Sequence, residues 1–503
     1  MKIKLVLFSL LLFCGYAIAQ GVPLNPDQYF ESIKNDPIQL MAFLTQMPKG
    51  GDLHNHLGGA IYAEDLLTFS VQQPFEIDAQ SLSIKPAHSA PTDIPLANMI
   101  NDEDLRNSLI DAWSTRHCDT QEGRCHDHFF ATFFKFYPLY LANRDKAFQS
   151  IVSRAAMENE IYLELMETFD EDRFADVYSS KAWTNDFAKQ RQLLLSDPHF
   201  QAAIQFISNE SNDYLKNLRN NLQCATQQAQ PGCQVTVRFL YQVMRNQPIN
   251  QFFAQVLAGF EAAKSNPSIV GVNIVQQEDG YYSIKNYDLE MQIIAFLHTL
   301  YPMVHYSLHA GELAPGLVAP HDLTFHIDHA INIAHADRIG HGVDIVYEKN
   351  ARDVLTEMAK KHILVEINLT SNATILGVQG KAHPLPLYLK YHVPVALSTD
   401  DEGVLRTDLV HEFYRAETTY HFPYSVLKSF VRNSLAYSFL PGENLWRDLD
   451  QYIPVEACQH DKLGNDNPSL SCKQFLSTSQ KAQLQWKLEK QLGEFEASLG
   501  SAH

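Results

Sequence analysis

Short apolar runs rich in β-branched residues recur along the second half of the chain, with their ends roughly thirty residues apart. Runs of this kind are typical of parallel strands that are buried on both faces. Segments with apolar residues at three- and four-residue spacing lie between them, as expected of helices. The alternation predicts repeated strand–helix units. The runs are 269–276, 303–309, 338–345, 363–369 and 393–399, and the helical segments are Asp288–Tyr301, Leu323–Ala334 and Ala351–Lys361.

Three earlier strand candidates, Gly51–His56, Ile161–Glu167 and Gln234–Tyr241, bring the number of units to eight. Eight such units predict an α/β fold, a TIM (β/α)8 barrel. The connections after strands 1 and 2 are too long for simple units, so each must contain an insertion. We place the insertions at about 65–150 and 172–233, and we expect them to be helical and to carry disulfides.

The composition indicates a globular protein with a sizeable core. The chain has 503 residues, of which 45% are hydrophobic and 19% are charged, which excludes a small disulfide scaffold and a wholly disordered chain. Its formal net charge is −19, and it has no long run of lysine or arginine. A chain with this charge is poorly suited to bind nucleic acid or another polyanion.

The N-terminus has the pattern of an export signal. Two lysines precede an apolar run at 5–13, and small residues alternate at Ala17–Ala19. We predict a signal peptide at 1–19, cleaved between Ala19 and Gln20, and a secreted or periplasmic protein. An uncleaved N-terminal anchor is the alternative. No later segment approaches the ~20 consecutive apolar residues of a spanning helix, so we expect no membrane association after cleavage.

Removal of the signal would leave six cysteines, an even number that fits an oxidising compartment. Six cysteines allow about 15 connectivities, of which the pairs that close the three shortest loops are the simplest. These pairs would be Cys118–Cys125, Cys224–Cys233 and Cys458–Cys472, and none has the spacing of a zinc ribbon. Free buried thiols are the alternative. The first two pairs fall in the predicted insertions, where the barrel core supports the chain least.

The rest of the chain divides around the barrel. We predict a helical N-terminal segment at 20–46, the barrel domain at 47–455 and a C-terminal segment at 456–503. The C-terminal segment contains a polar loop at 459–471, rich in asparagine and aspartate and flanked by two cysteines. A final helix is predicted at Ser479–Ser498.

Polar side chains cluster at the C-terminal ends of the predicted strands, which converge on one mouth of a barrel. Strand 1 ends in His54 and His56, which share a face because residues two apart in a strand point the same way. This pair alone is weak evidence for a metal, since backbone carbonyls can satisfy a buried histidine. With His309 after strand 5 and Asp400 after strand 8, three imidazoles and a carboxylate form a set suited to Zn²⁺, with room for an activated water.

Four motifs, in order along the chain, resemble the signatures of the adenosine deaminase family. They are Met47–Leu57 (MPKGGDLHNHL), His309–Glu312 (HAGE), Arg338–Gly342 (RIGHG) and Ser398–Asp401 (STDD). The predicted signal peptide and the cysteine-bearing insertion are similar to those of the secreted, growth-factor-related branch. The resemblance implies a TIM barrel that replaces the 6-amino group of a purine with oxygen.

The resemblance also implies roles for individual residues. It implies one zinc ion per chain, with Glu312 as the acid, His341 as the group that assists the water, and Asp401 as the group that holds the purine ring. Glu312 must begin protonated to give a proton to N1, which requires a raised pKa. The zinc ligands would be His54, His56, His309 and Asp400, and Asp400 would also act on the water.

A zinc-dependent hydrolytic deaminase of adenosine or 2′-deoxyadenosine, which forms the inosine product and ammonia, is therefore the leading hypothesis. Its partner would be a small-molecule purine nucleoside, and the sequence leaves a homodimer open. Deamination of another aminopurine, such as adenine or an N6- or 5′-modified adenosine, is the nearest alternative. A non-catalytic extracellular binding or signalling protein on the same scaffold is the other.

Two positions depart from the family pattern. Family members usually carry an acidic residue two positions after the second histidine, where it receives the ribose 5′-hydroxyl; here that residue is Gly58. Unless an acid from an insertion replaces it, discrimination against 5′-deoxyadenosine should be weak. Gln276 stands where a glycine usually brings its backbone to the purine edge, so a larger side chain would lie near the substrate.

Two conspicuous clusters are assigned to structure rather than to chemistry. The aromatic run Phe129–Tyr140 is expected to form core or a lid over the barrel mouth. Four histidines near the helix after strand 5 are expected on the barrel exterior, where they would be solvated or cap a helix. They are His321, His326, His329 and His335.

Overall fold

The computed structural model describes residues 25–87, 92–118, 124–171 and 173–499. The predicted signal peptide at 1–19 lies outside the described residues. Within these residues, no helix combines the length and the apolar character that crossing a membrane requires.

Eight parallel strands form one sheet, in which each strand pairs with the next one along the chain. The strands are β1 (Gly50–His56), β2 (Glu160–Glu167), β3 (Thr236–Met244), β4 (Ile269–Val275), β5 (His305–Ala310), β6 (Arg338–His341), β7 (Leu364–Ile367) and β8 (Val395–Leu397). Every residue of β1, β2, β6, β7 and β8 is buried, as expected of strands covered on both faces. All eight overlap the predicted strands, and the prediction of a TIM barrel is confirmed.

The barrel closes between its last and first strands. The backbone N–H of His56 donates to the carbonyl of Asp400 (3.1 Å), and the N–H of Asp400 donates to the carbonyl of His54 (2.8 Å). These bonds form a parallel bridge between Asn55 and Asp400. The closing contact therefore brings two predicted histidine ligands and the predicted aspartate ligand together.

The barrel interior contains a buried ion network. Arg338 on β6 lies between Glu164 on β2 and Glu366 on β7, at 2.6 Å from a carboxylate oxygen of each. The three side chains are at most 1% exposed. Because charges this deep are stable only when paired, the network fixes these three strands relative to one another.

Helices cover the outside of the barrel. The predicted helix at Ala351–Lys361 has the predicted bounds. Strands β6 and β7 end earlier than predicted, because Gly342 turns the chain with a φ of 58° after β6 and a helix begins at Leu369 after β7. The helices that follow β3 to β8 are Ile249–Ser265, Tyr281–Leu300, His326–Asn332, Ala351–Lys361, Leu369–Leu376, Leu385–Lys390, Glu402–Leu405, Leu409–Tyr420 and Tyr424–Ala436.

The first insertion lies between β1 and β2. The sequence predicts that it is helical, but in the structure it is only partly so. A three-stranded antiparallel sheet forms within it. Its strands are only two or three residues long and two of them end in proline, so no alternating run marks them in the sequence. The strands are Phe75–Ile77, Ile84–Pro86 and Ile94–Pro95, and the helices are Ala63–Ser70, Glu103–Ala112 and Arg124–Met157.

The second insertion and the two chain ends are helical in the described residues. The N-terminal helices begin after Asn25 and Asp36, whose side chains accept hydrogen bonds from the first-turn backbone. The second insertion contains Ala175–Ser179, Phe187–Leu195 and Pro198–Asn221; the terminal helices are Pro26–Ile33 and Pro37–Gln46 at one end and Leu470–Thr478 and Gln480–Leu499 at the other.

Three disulfides join the cysteines in the predicted pairs, Cys118–Cys125, Cys224–Cys233 and Cys458–Cys472. The partners are 7, 9 and 14 residues apart in sequence. The first two lie in the insertions and the third precedes the C-terminal helix. Each therefore closes a short loop outside the barrel sheet.

We expect peptide mapping without reduction to recover these three pairs from protein made in an oxidising compartment. Replacement of Cys458 and Cys472 by serine should lower the thermal midpoint, since a crosslink of this loop length stabilises by about 3 kcal/mol through the unfolded chain. Scanning calorimetry of variant and parent measures the difference. Free thiols at all six positions, or other pairings, would contradict the structure.

Candidate metal and catalytic site

Four side chains from three strand ends converge at the barrel mouth. His56 Nε2 lies 3.3 Å from both His309 Nε2 and Asp400 Oδ1. His54 Nε2 lies 3.7 Å from Asp400 Oδ1. All four residues are at most 6% exposed. The structure thus brings the four predicted zinc ligands to one place.

The four donors fit a metal ion. Ligand atoms that each lie about 2 Å from one tetrahedral ion are about 3.3 Å from one another, close to the observed spacings. His54 Nε2 is buried and has no hydrogen-bond partner among the described residues. The ring nitrogens of His56 and His309 face each other at a distance where two bare lone pairs would repel. A divalent cation would satisfy both, and three nitrogens with one carboxylate oxygen suit Zn²⁺.

Two residues that the sequence did not reveal orient the histidines. The Nδ1–H of His54 donates to Glu366 Oε2 and the Nδ1–H of His56 donates to Gln242 Oε1, both at 2.7 Å. Each bond leaves Nε2 as the bare nitrogen that faces the site. Glu366 is a charged residue within the apolar run 363–369, and that contrast is the signal that could have identified it.

Burial keeps His56 and His309 neutral, as metal ligands must be. Burial lowers the pKa of His56 to about 4 and that of His309 well below its ordinary value, so both rings are neutral near pH 7. At His54 burial is outweighed by Glu366 and Asp400, which raise the pKa of its ring. Burial alone would raise the pKa of Glu366, but Arg338 and His54 lower it to about 2. The carboxylate therefore stays ionised and ties His54 to the ion network of the barrel interior.

Glu312 follows β5 at a turn that Gly311 makes with a φ of 74°. Its Oε1 lies 3.8 Å from His341 Nε2. The carboxylate of Glu278 accepts hydrogen bonds from the backbone N–H groups of Gly311 and Glu312, at 3.0 and 2.8 Å. Burial, with Asp400 and Glu278 nearby, raises the pKa of Glu312 well above its ordinary value. The carboxyl group can therefore hold a proton at neutral pH, as the acid role requires.

His341 ends β6 with its Nε2 3.8 Å from Glu312 and 3.9 Å from Asp400. Asn372 Oδ1 accepts from His383, so its Nδ2 donates to His341 Nδ1; both distances are 2.9 Å. With Nδ1 used as an acceptor, Nε2 carries the proton of the neutral ring, and burial lowers the pKa of His341 to about 3. His341 thus presents a hydrogen-bond donor to the site.

Asp401 follows the candidate ligand Asp400 and lines a cavity at the barrel mouth. Burial, with Asp400 beside it, raises the pKa of Asp401 well above its ordinary value, so its carboxyl group can donate a hydrogen bond. A Cβ at Gly59 would meet Asp401 Oδ1 at 1.6 Å. The glycine is therefore what allows the carboxyl group to lie there.

The cavity has a volume of about 440 Å³, which suits a small-molecule ligand. His56 and Asp401 line it, and so do Phe129, Phe133 and Tyr137 of the long insertion helix. The aromatic run 129–140 thus contributes a wall over the mouth, in line with the expectation of core or a lid.

Gln276 and Gly58 also line the cavity. Gln276 has a φ of 81°, a conformation that favours glycine, and its Oε1 accepts a hydrogen bond from the backbone N–H of Asn246 at 2.9 Å. This bond fixes the larger side chain against the neighbouring loop. A Cβ at Gly58 would contact the ring of Tyr140 at 3.7 Å, so an aromatic ring stands beside the position where the family usually has an acid.

The prediction for His326 was wrong. The residue is completely buried, its Nδ1 lies 2.6 Å from Glu278 Oε1, and its ring stacks on Tyr287 at 3.8 Å. His326 therefore supports Glu278, which in turn holds the backbone of Glu312. His326 is the first residue of its helix and lies close to the barrel mouth. The spacing of the histidines along the helix therefore predicted the wrong location for it. The other three, His321, His329 and His335, are exposed or partly exposed, as expected.

Known proteins resemble this chain in sequence and in fold. The sequence profile of a family described as "Adenosine deaminase" matches residues 197–452. The adenosine deaminase of Mycobacterium ulcerans (strain Agy99) is 27% identical over 232 residues, which are 44% of this chain and 59% of that protein. That of Escherichia coli (strain SMS-3-5 / SECEC) is 32% identical over 140 residues, 28% of this chain and 39% of that protein.

The chain thus spans 59% or less of the length of these curated relatives. A solved structure described as the ADAL–IMP complex superposes with a TM-score of 0.50 at 18% identity. The match covers 80% of this chain and 94% of that one, and it is a likeness in fold.

We expect Gln242→Leu to lower the affinity for Zn²⁺ by about 10–100-fold, because His56 loses the acceptor that orients its ring. Competition against a chelator of known affinity measures the change. Gln190→Leu is the matched control, since Gln190 is a buried glutamine that bonds to Thr184 in the second insertion. Equal zinc affinity in the parent and Gln242→Leu would show that this bond does not orient a ligand.

Proposed function

This chain belongs to the adenosine deaminase family, and on that premise we propose that it deaminates adenosine or 2′-deoxyadenosine to the inosine product and ammonia in a zinc-dependent hydrolysis. One observation supports the proposal above all. The four candidate ligands converge beside the buried carboxyl group of Glu312, where a cavity of nucleoside size opens.

One zinc ion per chain, held by His54, His56, His309 and Asp400, is the cofactor that we propose. A bound zinc ion would supply the Lewis acidity that lets water ionise near neutral pH. In the described part of the chain, three groups of buried histidine, aspartate and glutamate side chains could hold a metal ion. Each group shares one residue with each of the others, so all three lie at the same place. This overlap supports a single site.

Asp400 and His341 act on the attacking water. Oδ1 of Asp400 faces the histidine ligands, whereas Oδ2 faces His341 Nε2 at 3.9 Å. Oδ2 is placed to take up a proton from the water, and the Nε2–H of His341 donates to the oxygen that attacks C6. Positioned acid–base groups of this kind contribute about 10²–10⁴-fold to a rate.

Glu312 makes the complementary proton transfer. When oxygen adds to C6, that carbon becomes tetrahedral and N1 takes the proton that buried Glu312 carries. The C6–N6 bond then breaks; one proton of the water leaves with ammonia and the other returns to Glu312. Asp401 and the backbone at Gln276 hold the purine ring during these steps.

We also propose that the chain is exported and that residues 1–19 are removed. The N-terminal pattern supports export, and so do the three disulfides, since such bonds persist in oxidising compartments. Membership of a secreted branch of the family and a homodimeric state stay predictions.

Elemental analysis of the dialysed protein should find one zinc ion per chain. Combined replacement of His54 and His309 by alanine should abolish tight binding, because two of the four donors are lost. Two tightly bound metal ions per chain, or full occupancy in the double variant, would reject the single-site proposal.

The zinc-loaded protein should convert adenosine to inosine and release one ammonia per turnover, which an ultraviolet assay over a panel of aminopurines measures. Glu312→Gln should lower kcat by about 10²-fold or more, since an amide cannot deliver a proton to N1. Its zinc content and its affinity for inosine should stay near the parental values and serve as controls.

Three outcomes of this assay would change the proposal. A kcat for Glu312→Gln within a few-fold of the parent would remove Glu312 from the acid role. Turnover of a different aminopurine alone would replace the substrate but keep the reaction. A zinc-loaded protein that turns over no aminopurine would reject the proposed function.

A further inference from the structure

One wall of the cavity, at the end of β2, carries acidic side chains. If C6 of the purine lies at the metal ligands, as the proposed function requires, the sugar on N9 must lie against other walls. Glu167 and Glu171 line the cavity where β2 ends. Among the described residues that line it there is no lysine or arginine. A sugar that reached this wall would therefore meet glutamate side chains rather than lysine or arginine.

Glu167 is the last residue of β2 and is 4% exposed. Its Oε2 accepts a hydrogen bond from the hydroxyl of Tyr140 at 3.0 Å. Its Oε1 accepts none from the described residues, and Arg144 Nε is 3.6 Å away. Burial raises the pKa of Glu167 to about 7, against the opposing effects of Arg144 and Tyr140. A buried carboxylate oxygen without a donor is a ready acceptor for a hydroxyl group that enters the cavity.

Arg144 does not make this wall basic. Its guanidinium group lies over the rings of Tyr140 and Tyr214, 5.5 and 5.2 Å from their centroids, and it pairs with Glu171. Arg144 is not among the residues that line the cavity. It therefore holds the two glutamates in place while the surface of the cavity stays acidic.

Gly58 leaves room for this arrangement. β1 and β2 pair with His56 opposite Met166, and the N–H of Leu57 donates to the carbonyl of Met166 at 3.1 Å. Gly58 and Glu167 therefore lie at adjacent strand ends on the same cavity. An acidic side chain at position 58 would repel Glu167, so the carboxylate at this wall comes from β2 instead of the residue after β1.

We propose that Glu167 accepts a hydrogen bond from the 5′-hydroxyl of the sugar and that Glu167 and Glu171 together exclude a 5′-phosphate. The inference rests on the proposed deaminase function, and it makes the substrate an uncharged purine nucleoside rather than a nucleotide. A phosphate would bring about two negative charges to a wall where the only cation that the structure describes as paired with the two glutamates, Arg144, does not line the cavity. Its charges would also have to lie beside Glu167 and Glu171 without a lysine or arginine among the described lining residues.

The ratio of kcat/KM values for adenosine, 5′-deoxyadenosine and AMP tests the proposal with the zinc-loaded protein at about pH 8, above the pKa of about 7 of Glu167, so that this carboxyl group is ionised. We expect the parent to prefer adenosine to 5′-deoxyadenosine by about 10–100-fold, the range of a charge-assisted hydrogen bond, and to AMP by at least as much. Glu167→Leu should bring the first ratio to within about threefold, because adenosine loses the acceptor for its 5′-hydroxyl. A thermal melt and a zinc content near those of the parent show that the variant is folded.

The negative charge has its own test. The double variant Glu167→Gln, Glu171→Gln should raise the rate with AMP relative to adenosine by about tenfold or more, because two like charges are removed. Glu261→Leu is the matched control. Glu261 contacts an arginine and a tyrosine, Arg191 and Tyr301, as Glu167 does, but it does not line the cavity. The control variant should leave every ratio unchanged.

Equal rates for adenosine and 5′-deoxyadenosine in the parent, or a ratio that Glu167→Leu does not alter, would overturn the role of Glu167. AMP turned over as well as adenosine would overturn the exclusion of nucleotides. If no purine is turned over, the proposed function fails by itself, and calorimetry with inosine and IMP decides the inference. The inference then requires tighter binding of inosine than of IMP, and equal affinities would overturn it.

Discussion

The hydrogen bonds that close the barrel between β8 and β1 determine where every group of the site can lie. His56 and Asp400 exchange backbone bonds with the opposite strand end at this seam, so the peptide that closes the barrel also carries a candidate ligand. A shift of one residue in the pairing would turn His54 and His56 to the other face of the strand and would move Asp400 away from them. The site can therefore form only in a barrel that has closed in this register.

Charged side chains connect the closing strands to the barrel interior. His54 donates to Glu366, which pairs with Arg338, which pairs with Glu164 on the far side of the interior. Removal of one partner from a buried pair costs about 3–5 kcal/mol, so these strands cannot easily shift past one another. An apolar core could be equally stable, but it would leave His54 without the acceptor that directs its Nε2 to the site.

The fold and the four candidate ligands could be predicted because both depend on local pattern: apolar runs mark strands, and polar residues mark their ends. The groups that orient the ligands could not, because Glu366 is 312 residues from His54 and Gln242 is 186 residues from His56 in sequence. Periodicity also failed for His326, since it reports which residues share a helix face and not what covers the first turn. The same limit applies at Gly58, because a glycine in the sequence does not show which side chains of other strands and helices lie beside it; in the structure these include Tyr140.

Three residues of the site, Gln276, His341 and Asp400, have φ angles of 81°, 69° and 63°. Such a conformation costs a non-glycine residue on the order of 1–3 kcal/mol and persists only where the surroundings enforce it. At Asp400 the enforcement is visible, because β1 uses both its N–H and its carbonyl; the turned backbone then directs the carboxylate to the histidines. The closure of the barrel thus holds the strained residue in place, and the donor set is arranged by folding before any ligand arrives.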